Sequence, residues 1–281
     1  MRRAPRTRLQ RFLRHPSGMI GAVVLLFVVA CALLAGVLFP EGPWRMVARP
    51  MLWPGQNPAL PLGTDPMGRN LLAGVVYGAR VSLAIGLSAA LAAAIVGTIV
   101  GAVAGYYGGF VDDALMRITD AMQTVPSFMA AILIVGLIGP SLGTMITSIA
   151  IVSWPMVARL VRAEFLRLRT YDFVQCCRIM GMSDARIIFT QILPNCLSPI
   201  VVATSLLVAS AIIIESGLSF LGLGDPNMMS WGGMIGNGRS ALRTAWYIAL
   251  IPSVAVVATV LALNLIGDAL NDVLNPRLRS R

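Results

Sequence analysis

Residues 121–158 read AMQTVPSFMAAILIVGLIGPSLGTMITSIAIVSWPMVA, with no Asp, Glu, Arg, Lys or His among them. A helix rises 1.5 Å per residue, so a hydrocarbon core of ~30 Å takes about 20 residues to cross. The run is too long for one crossing, and Gly139-Pro140-Ser141-Leu142-Gly143 interrupts it. Gly beside Pro marks a turn. The stretch therefore predicts a helical hairpin, with spans over residues 121–138 and 144–163.

Four further runs lack Asp, Glu, Arg and His: residues 16–40, 81–111, 187–214 and 244–267. Each suits one helix, at about 18–39, 82–105, 196–215 and 245–268. The expected fold class is an all-α integral membrane protein with six transmembrane helices. Composition agrees. The chain is 57% hydrophobic and 12% charged, whereas soluble domains carry roughly a quarter charged residues. A soluble enzyme is excluded on that ground.

An even number of spans puts both termini on one side. Sixteen of the 22 arginines fall on the side of the termini, counting six in the first 14 residues, Arg117, six over residues 159–186, and Arg277, Arg279 and Arg281. Such an excess marks the cytoplasm. Residues 1–17 are thus read as a basic cytoplasmic segment, and residues 18–281 as a six-span domain. Residues 40–81 and 216–244 are its extracytoplasmic segments, and residues 164–195 a cytoplasmic one. The first apolar run exceeds the 7–15 residues of a signal-peptide core. It ends in Phe39-Pro40-Glu41-Gly42-Pro43 rather than a small-x-small site, so it is expected to stay as a span.

The net charge of +10 does not indicate nucleic acid, because so apolar a chain has little wet basic surface. Every basic residue except His15 is Arg. A P-loop needs a lysine, so any ATP must be bound by another chain. Cys31, Cys176, Cys177 and Cys196 form no metal-binding spacing with His15. No metal or cofactor is expected on this chain, and adjacent Cys176-Cys177 reads as packing.

Two outer segments have structure of their own. Thr64 or Asp65 ahead of Pro66 reads as a helix start, either a capped interfacial entry into the second span or a segment in direct contact with substrate. Residues 216–243 are rich in glycine around Ser219-Phe220-Leu221-Gly222-Leu223-Gly224 and Trp231-Gly232-Gly233. Such backbone suits either a gate buried in protein or a surface loop with an interfacial Trp. Glu215, Ser219 and Phe220 are the candidate gate or path residues. Glu215 at the end of the fifth span is either a cap or a functional acid. Gly97, Gly101 and Gly105 have the spacing of a close helix–helix contact.

The most informative soluble stretch is residues 164–195. Asp172 reads as an N-cap and Gly181 as the C′ residue of a two-turn helix. Phe173, Cys177 and Met180 recur at spacings of four and three, which places them on one face. A helix so short is marginal alone in water. Either it docks its apolar face into a partner's groove, or it packs back on its own spans.

This stretch resembles the coupling loop of ABC-importer permeases, whose pattern is Glu-Ala-Ala, three residues, Gly, then Leu-Pro. Here Gln175, Cys176 and Cys177 occupy the first three positions, while Gly181, Leu193 and Pro194 match. Leu62-Gly63-Thr64-Asp65 with Gly68-Arg69, the Tyr77 to Leu83 stretch, Gly105-Tyr106-Tyr107-Gly108-Gly109 and Ala158-Arg159-Leu160-Val161-Arg162 narrow the likeness. So do Leu218 to Gly224, Trp231-Gly232, Asn264 to Leu270, Asp272 and Pro276-Arg277-Leu278. Together they resemble the dipeptide/oligopeptide/nickel permease family, in its C-type subunit. Asn70, Asn271 and Asn275 depart from its pattern.

The resemblance implies a type I ABC-importer permease fold in a bacterial inner membrane. It implies a heterodimer with a homologous permease, two ATP-binding subunits or domains that hold ATP and Mg, and an extracytoplasmic binding protein. It places ATPase coupling on Asp172, Phe173, Val174, Cys176, Cys177, Met180, Gly181, Met182 and Ser183. The chain itself would be no enzyme. The expected cargo is small peptides, with nickel or a metal chelate as the alternative. An ion-coupled carrier or a scaffold is the reading from other classes.

Overall fold

The computed structural model describes residue 12 and residues 15–274. The six N-terminal arginines, Asn275, Pro276, Arg277, Arg279 and Arg281 lie outside the described residues. Below, the inner end is the one the arginine count assigns to the cytoplasm, and the outer end the opposite one.

Nine helices organise the described chain: α1 (Pro16–Leu38), α2 (Leu71–Tyr107), α3 (Gly109–Thr124), α4 (Ser127–Ile138), α5 (Leu142–Leu168), α6 (Asp172–Ile179), α7 (Asp184–Phe220), α8 (Trp231–Gly238) and α9 (Tyr247–Leu274). Five of these are long and apolar enough to cross a membrane, and a sixth crossing arises if the bent pair α3–α4 is taken as one span. The all-helical membrane architecture is as expected. Side chains of α1 such as Leu26, Phe27 and Val37 point outward, 70%, 68% and 77% exposed, as a lipid-facing surface requires.

The third crossing corrects the expectation. It is not one straight helix over residues 121–138. α3 and α4 meet at 83°, because Pro126 forces Val125 into an extended conformation (φ −89°, ψ 129°). α4 has 12 residues, about 18 Å at ~1.5 Å per residue. α3 is amphipathic and is clipped to α5 by ion pairs. Arg162 forks onto Asp112, with Nη2 to Oδ2 at 2.7 Å, and Arg159 Nη2 donates to Asp120 Oδ1 at 2.6 Å. The turn at Gly139-Pro140 is where expected, with Gly139 at φ +104°.

The second span also begins elsewhere. Pro66 does not start a helix. Asp65 instead closes a turn, its Oδ1 accepting from the Met67 and Arg69 amides at 2.9 Å each. Gly68 then turns the chain at φ +78°. Asn70 caps α2, accepting from the Leu72 and Ala73 amides.

α2 and α5 form the central pair. A Cβ at Gly97, Gly101 or Gly105 would stand 2.7, 2.4 and 2.7 Å from the carbonyl oxygens of Trp154, Ala158 and Arg162. The glycine stripe is therefore a contact seam, as its spacing suggests. In lipid such close packing is a main source of helix association. α7 extends the fifth span at its inner end, so residues 184–195 belong to a helix rather than to a free cytoplasmic segment. Pro194 lacks an amide hydrogen and crowds the carbonyl four residues back. The backbone answers with a π turn over Ile188–Ile192. α1 and α9 are tied at the inner end by His15 Nε2 and Asp272 Oδ2, 3.1 Å apart.

Candidate functional site

The inner-end site is α6 and the turns around it. Tyr171, not Asp172, stands at the N-cap, with extended backbone and no side-chain cap. Asp172 is the first helical residue, where its charge suits the helix dipole. The C-terminus is a full Schellman motif. The Met182 amide donates to the Cys177 carbonyl at 3.1 Å, and the Gly181 amide to that of Arg178 at 3.0 Å. Gly181 has φ +76°, so the glycine is required by the turn that ends the helix.

The expected face of Phe173, Cys177 and Met180 is split. Val174 (0% exposed) and Cys177 (8%) turn inward. They join Phe165 and Leu168 of α5 and Ile187, Ile192 and Cys196 of α7 in one core cluster. Met182 packs against its edge. The outward edge is Phe173, Cys176, Ile179 and Met180, with Ile179 86% and Met180 72% exposed. Ile179 escaped the sequence reading, although its spacing of three from Cys176 was visible. Ser183 is exposed and precedes α7 without capping it through its side chain. Thus α6 both packs on its own bundle and leaves an apolar edge free among the described residues.

Its position is fixed by the end of α2. Tyr106 Oη donates to Asp184 Oδ1 at 2.6 Å, and the Arg178 guanidinium lies 5.1 Å above the Tyr106 ring. Arg169 Nη1 donates to the Tyr106 carbonyl at 3.1 Å, and Gln175 Nε2 to the Arg169 carbonyl at 2.9 Å. The segment is hooked at both ends to one residue.

The outer end has a second cluster. Glu215 is 0% exposed, yet its oxygens are met. Ser82 donates to Oε2 at 2.9 Å, Ser219 to Oε1 at 2.8 Å, and Ser216 more weakly to Oε2 at 3.5 Å. The Trp231 amide donates to Ser82 Oγ at 3.4 Å, and Trp231 Nε1 to the Val75 carbonyl at 2.8 Å. The carboxylate therefore ties α2, α7 and the start of α8. Ser219 is 5% exposed. Phe220 borders an outer cavity with Arg239 5.9 Å from its ring. Beside it, residues 41–70 form an ordered cap. Thr64 Oγ1 donates to the Arg49 carbonyl at 2.7 Å and accepts from the Leu52 amide at 2.9 Å. Tyr247 Oη donates to the Leu52 carbonyl at 2.8 Å. Among the described residues no group of three or more His, Cys, Asp or Glu could hold a metal ion.

Known proteins carry the same plan. Residues 97–280 match the family described as binding-protein-dependent transport system inner membrane component, and residues 6–58 match the N-terminal TM domain of oligopeptide transport permease C. A putative peptide transport system permease protein of Brucella abortus is 44% identical over 277 residues, covering 96% of this chain and 91% of that protein. The di/tripeptide transport system permease protein of Pseudomonas aeruginosa is 36% identical with the same coverage. The glutathione transport system permease protein of Pectobacterium atrosepticum is 38% identical, covering 96% of this chain and 90% of that one. An inward-facing structure of the MetNI methionine ABC transporter superposes with a TM-score of 0.59 at 17% identity, covering 71% of this chain and 96% of the other. That likeness concerns the fold, an ABC-importer permease fold. The chain is a multi-pass membrane protein that belongs to the family of binding-protein-dependent transport system inner membrane components.

Proposed function

We infer that this chain is the permease subunit of an ATP-driven importer of short peptides. It forms half of the translocation path, and a homologous permease chain forms the rest. Both termini and α6 face the cytoplasm. One of two ATP-binding subunits or domains grips the outward edge of α6, the other grips the corresponding helix of the homologous permease, and together they hold the ATP and Mg. An extracytoplasmic binding protein delivers the cargo to the outer end, where Glu215, Ser219 and Phe220 lie at the outer closure. The chain performs no covalent chemistry and binds no nucleotide.

The observation that carries this reading is the split of α6. One side is anchored in the bundle by Val174 and Cys177, and the other offers Phe173, Cys176, Ile179 and Met180. A helix locked by its C-cap and by Tyr106 transmits force, and an exposed apolar edge suits a partner's groove. The family's description supports dependence on a binding protein. The relatives' names, for peptides, di/tripeptides and glutathione, favour peptides over nickel or a metal chelate. Membership of the family speaks against the ion-coupled carrier and the scaffold.

The test is uptake of labelled di- and tripeptides by proteoliposomes holding the co-expressed complex. Uptake is expected to need ATP, the ATPase subunits and the binding protein. Uptake that persists without ATP would sink the reading.

A further inference from the structure

The outer cavity holds a cation that the fold leaves half-used. Arg69 is 6% exposed. Its Nε donates to Asp65 Oδ2 at 2.6 Å. Its two Nη groups donate to no acceptor among the described residues, and the side chain borders a cavity of about 450 Å³ between the outer cap and the end of α7. The guanidinium carbon lies 5.2 Å from the centre of the Trp44 ring, within the range of a cation–π contact. Arg239 enters the same cavity from beyond α8, stacked on Phe220 at 5.9 Å.

The acidic residue that also lines this cavity is already engaged. Asp225 Oδ2 accepts from the Leu142 amide at the start of α5 at 3.1 Å, and Oδ1 from the Asn227 amide at 2.9 Å. The donors left over are cationic and forked, which is the geometry that a carboxylate takes up in a bidentate way. Sealed side-chain nitrogens and oxygens all have partners among the described residues, so the Nη groups open onto the cavity. In a recess walled by protein an anion gains more from them than at an open surface.

We propose that Arg69 and Arg239 form a carboxylate subsite at the outer mouth of the permease, which receives the C-terminal carboxylate of a short peptide. This rests on the peptide reading above. The size of the cavity lies in the range of small-ligand sites, roughly 300–1,000 Å³. Its walls are apolar at Trp44, Phe220 and Met228, and they suit the last side chain of the peptide beside the charge. Asp65 acts as a positioning residue, since it holds the Nε edge and turns the Nη edge to the cavity.

The experiment measures binding of alanyl-phenylalanine and of its C-terminal amide to the assembled complex in nanodiscs without binding protein, by saturation-transfer NMR. Arg239→Gln removes one cation without touching the Asp65–Arg69 pair. Arg69→Lys keeps the charge and loses the fork. Complex assembly and basal ATPase rate report folding in both. The free acid is expected to bind the parent complex. It should bind Arg239→Gln about ten-fold more weakly, in keeping with the loss of one charge-assisted hydrogen bond, and Arg69→Lys more weakly as well. The amide is expected to bind weakly to all three. Equal binding of acid and amide, or no binding of either, overturns the subsite. So does an unchanged acid affinity in both variants with weakened docking of the binding protein, which would assign the arginines to a protein partner. Failure of the parent complex to take up peptides from the loaded binding protein would instead sink the peptide reading, while the acid–amide contrast would still stand or fall by itself.

Discussion

The two ends of this molecule treat their polar and apolar groups in opposite ways. At the outer end Glu215, Ser82, Ser219, Thr64 and Tyr247 spend their hydrogen bonds within the chain, with Arg69 beside the cavity as the exception. At the inner end α6 anchors one side and exposes Phe173, Ile179 and Met180 on the other. A closed polar cluster is self-sufficient, whereas an exposed apolar edge marks an interaction surface. Substitutions in the Glu215 cluster should therefore act through stability, and those on the outward edge of α6 through partnership.

The largest loss of stability is expected from Glu215→Leu. It strips three serines of their shared acceptor inside the bundle, at a cost of about 3 kcal/mol. Glu215→Gln should recover most of it. Thermal unfolding of the purified complex checks this, and a Leu variant that melts with the parent would remove the contrast between the ends. Next comes the pair Cys177→Asp and Cys176→Asp. The first places a charge in the core cluster and should cost at least ~2 kcal/mol, while its neighbour should stay within about 0.5 kcal/mol. Similar losses in both would erase the two-sided reading of α6. Gly181→Ala forces a left-handed turn on a residue with a Cβ, for about 1 kcal/mol. Faster hydrogen exchange over residues 172–183, with the outer cap unchanged, is the signature. The smallest change in stability, within about 0.5 kcal/mol, is expected from Ile179→Asp. Yet peptide uptake should fall about ten-fold or more, since on the proposed docking a charge would enter a partner's apolar groove. Normal uptake with a normal melt would count against docking at this edge.

Much of this was readable in advance. Runs without charge announced the crossings, and Gly139-Pro140 announced the hairpin, because lipid tolerates few ionised groups. The Val125-Pro126 bend was missed for the same reason, since hydropathy does not sense a backbone turn made of apolar residues. Asp65-Pro66 looked like a helix start because the local signal is the same for an Asx turn, and only Gly68 decides between them. The inward turn of Cys177 was hidden because α6 is apolar on both sides. Its partners Phe165 and Ile187 come from two other helices. Ser82 and Trp231, which complete the Glu215 cluster, lie 133 residues upstream and one loop downstream of it, and no local pattern links them.

The glycine seam makes α2 and α5 a single stiff beam. On α2, Ser82 grips Glu215 near one membrane face and Tyr106 grips Asp184 near the other, roughly 36 Å away at ~1.5 Å per residue. With carbonyl oxygens 2.4–2.7 Å from where a Cβ would stand at Gly97, Gly101 and Gly105, the two helices have little room to slip past each other along the seam. A tug on α6 is therefore not absorbed where it is applied; it tilts the beam, and the far fastening must follow or break. The two faces of the membrane are kept in step by the narrowness of three residues without side chains.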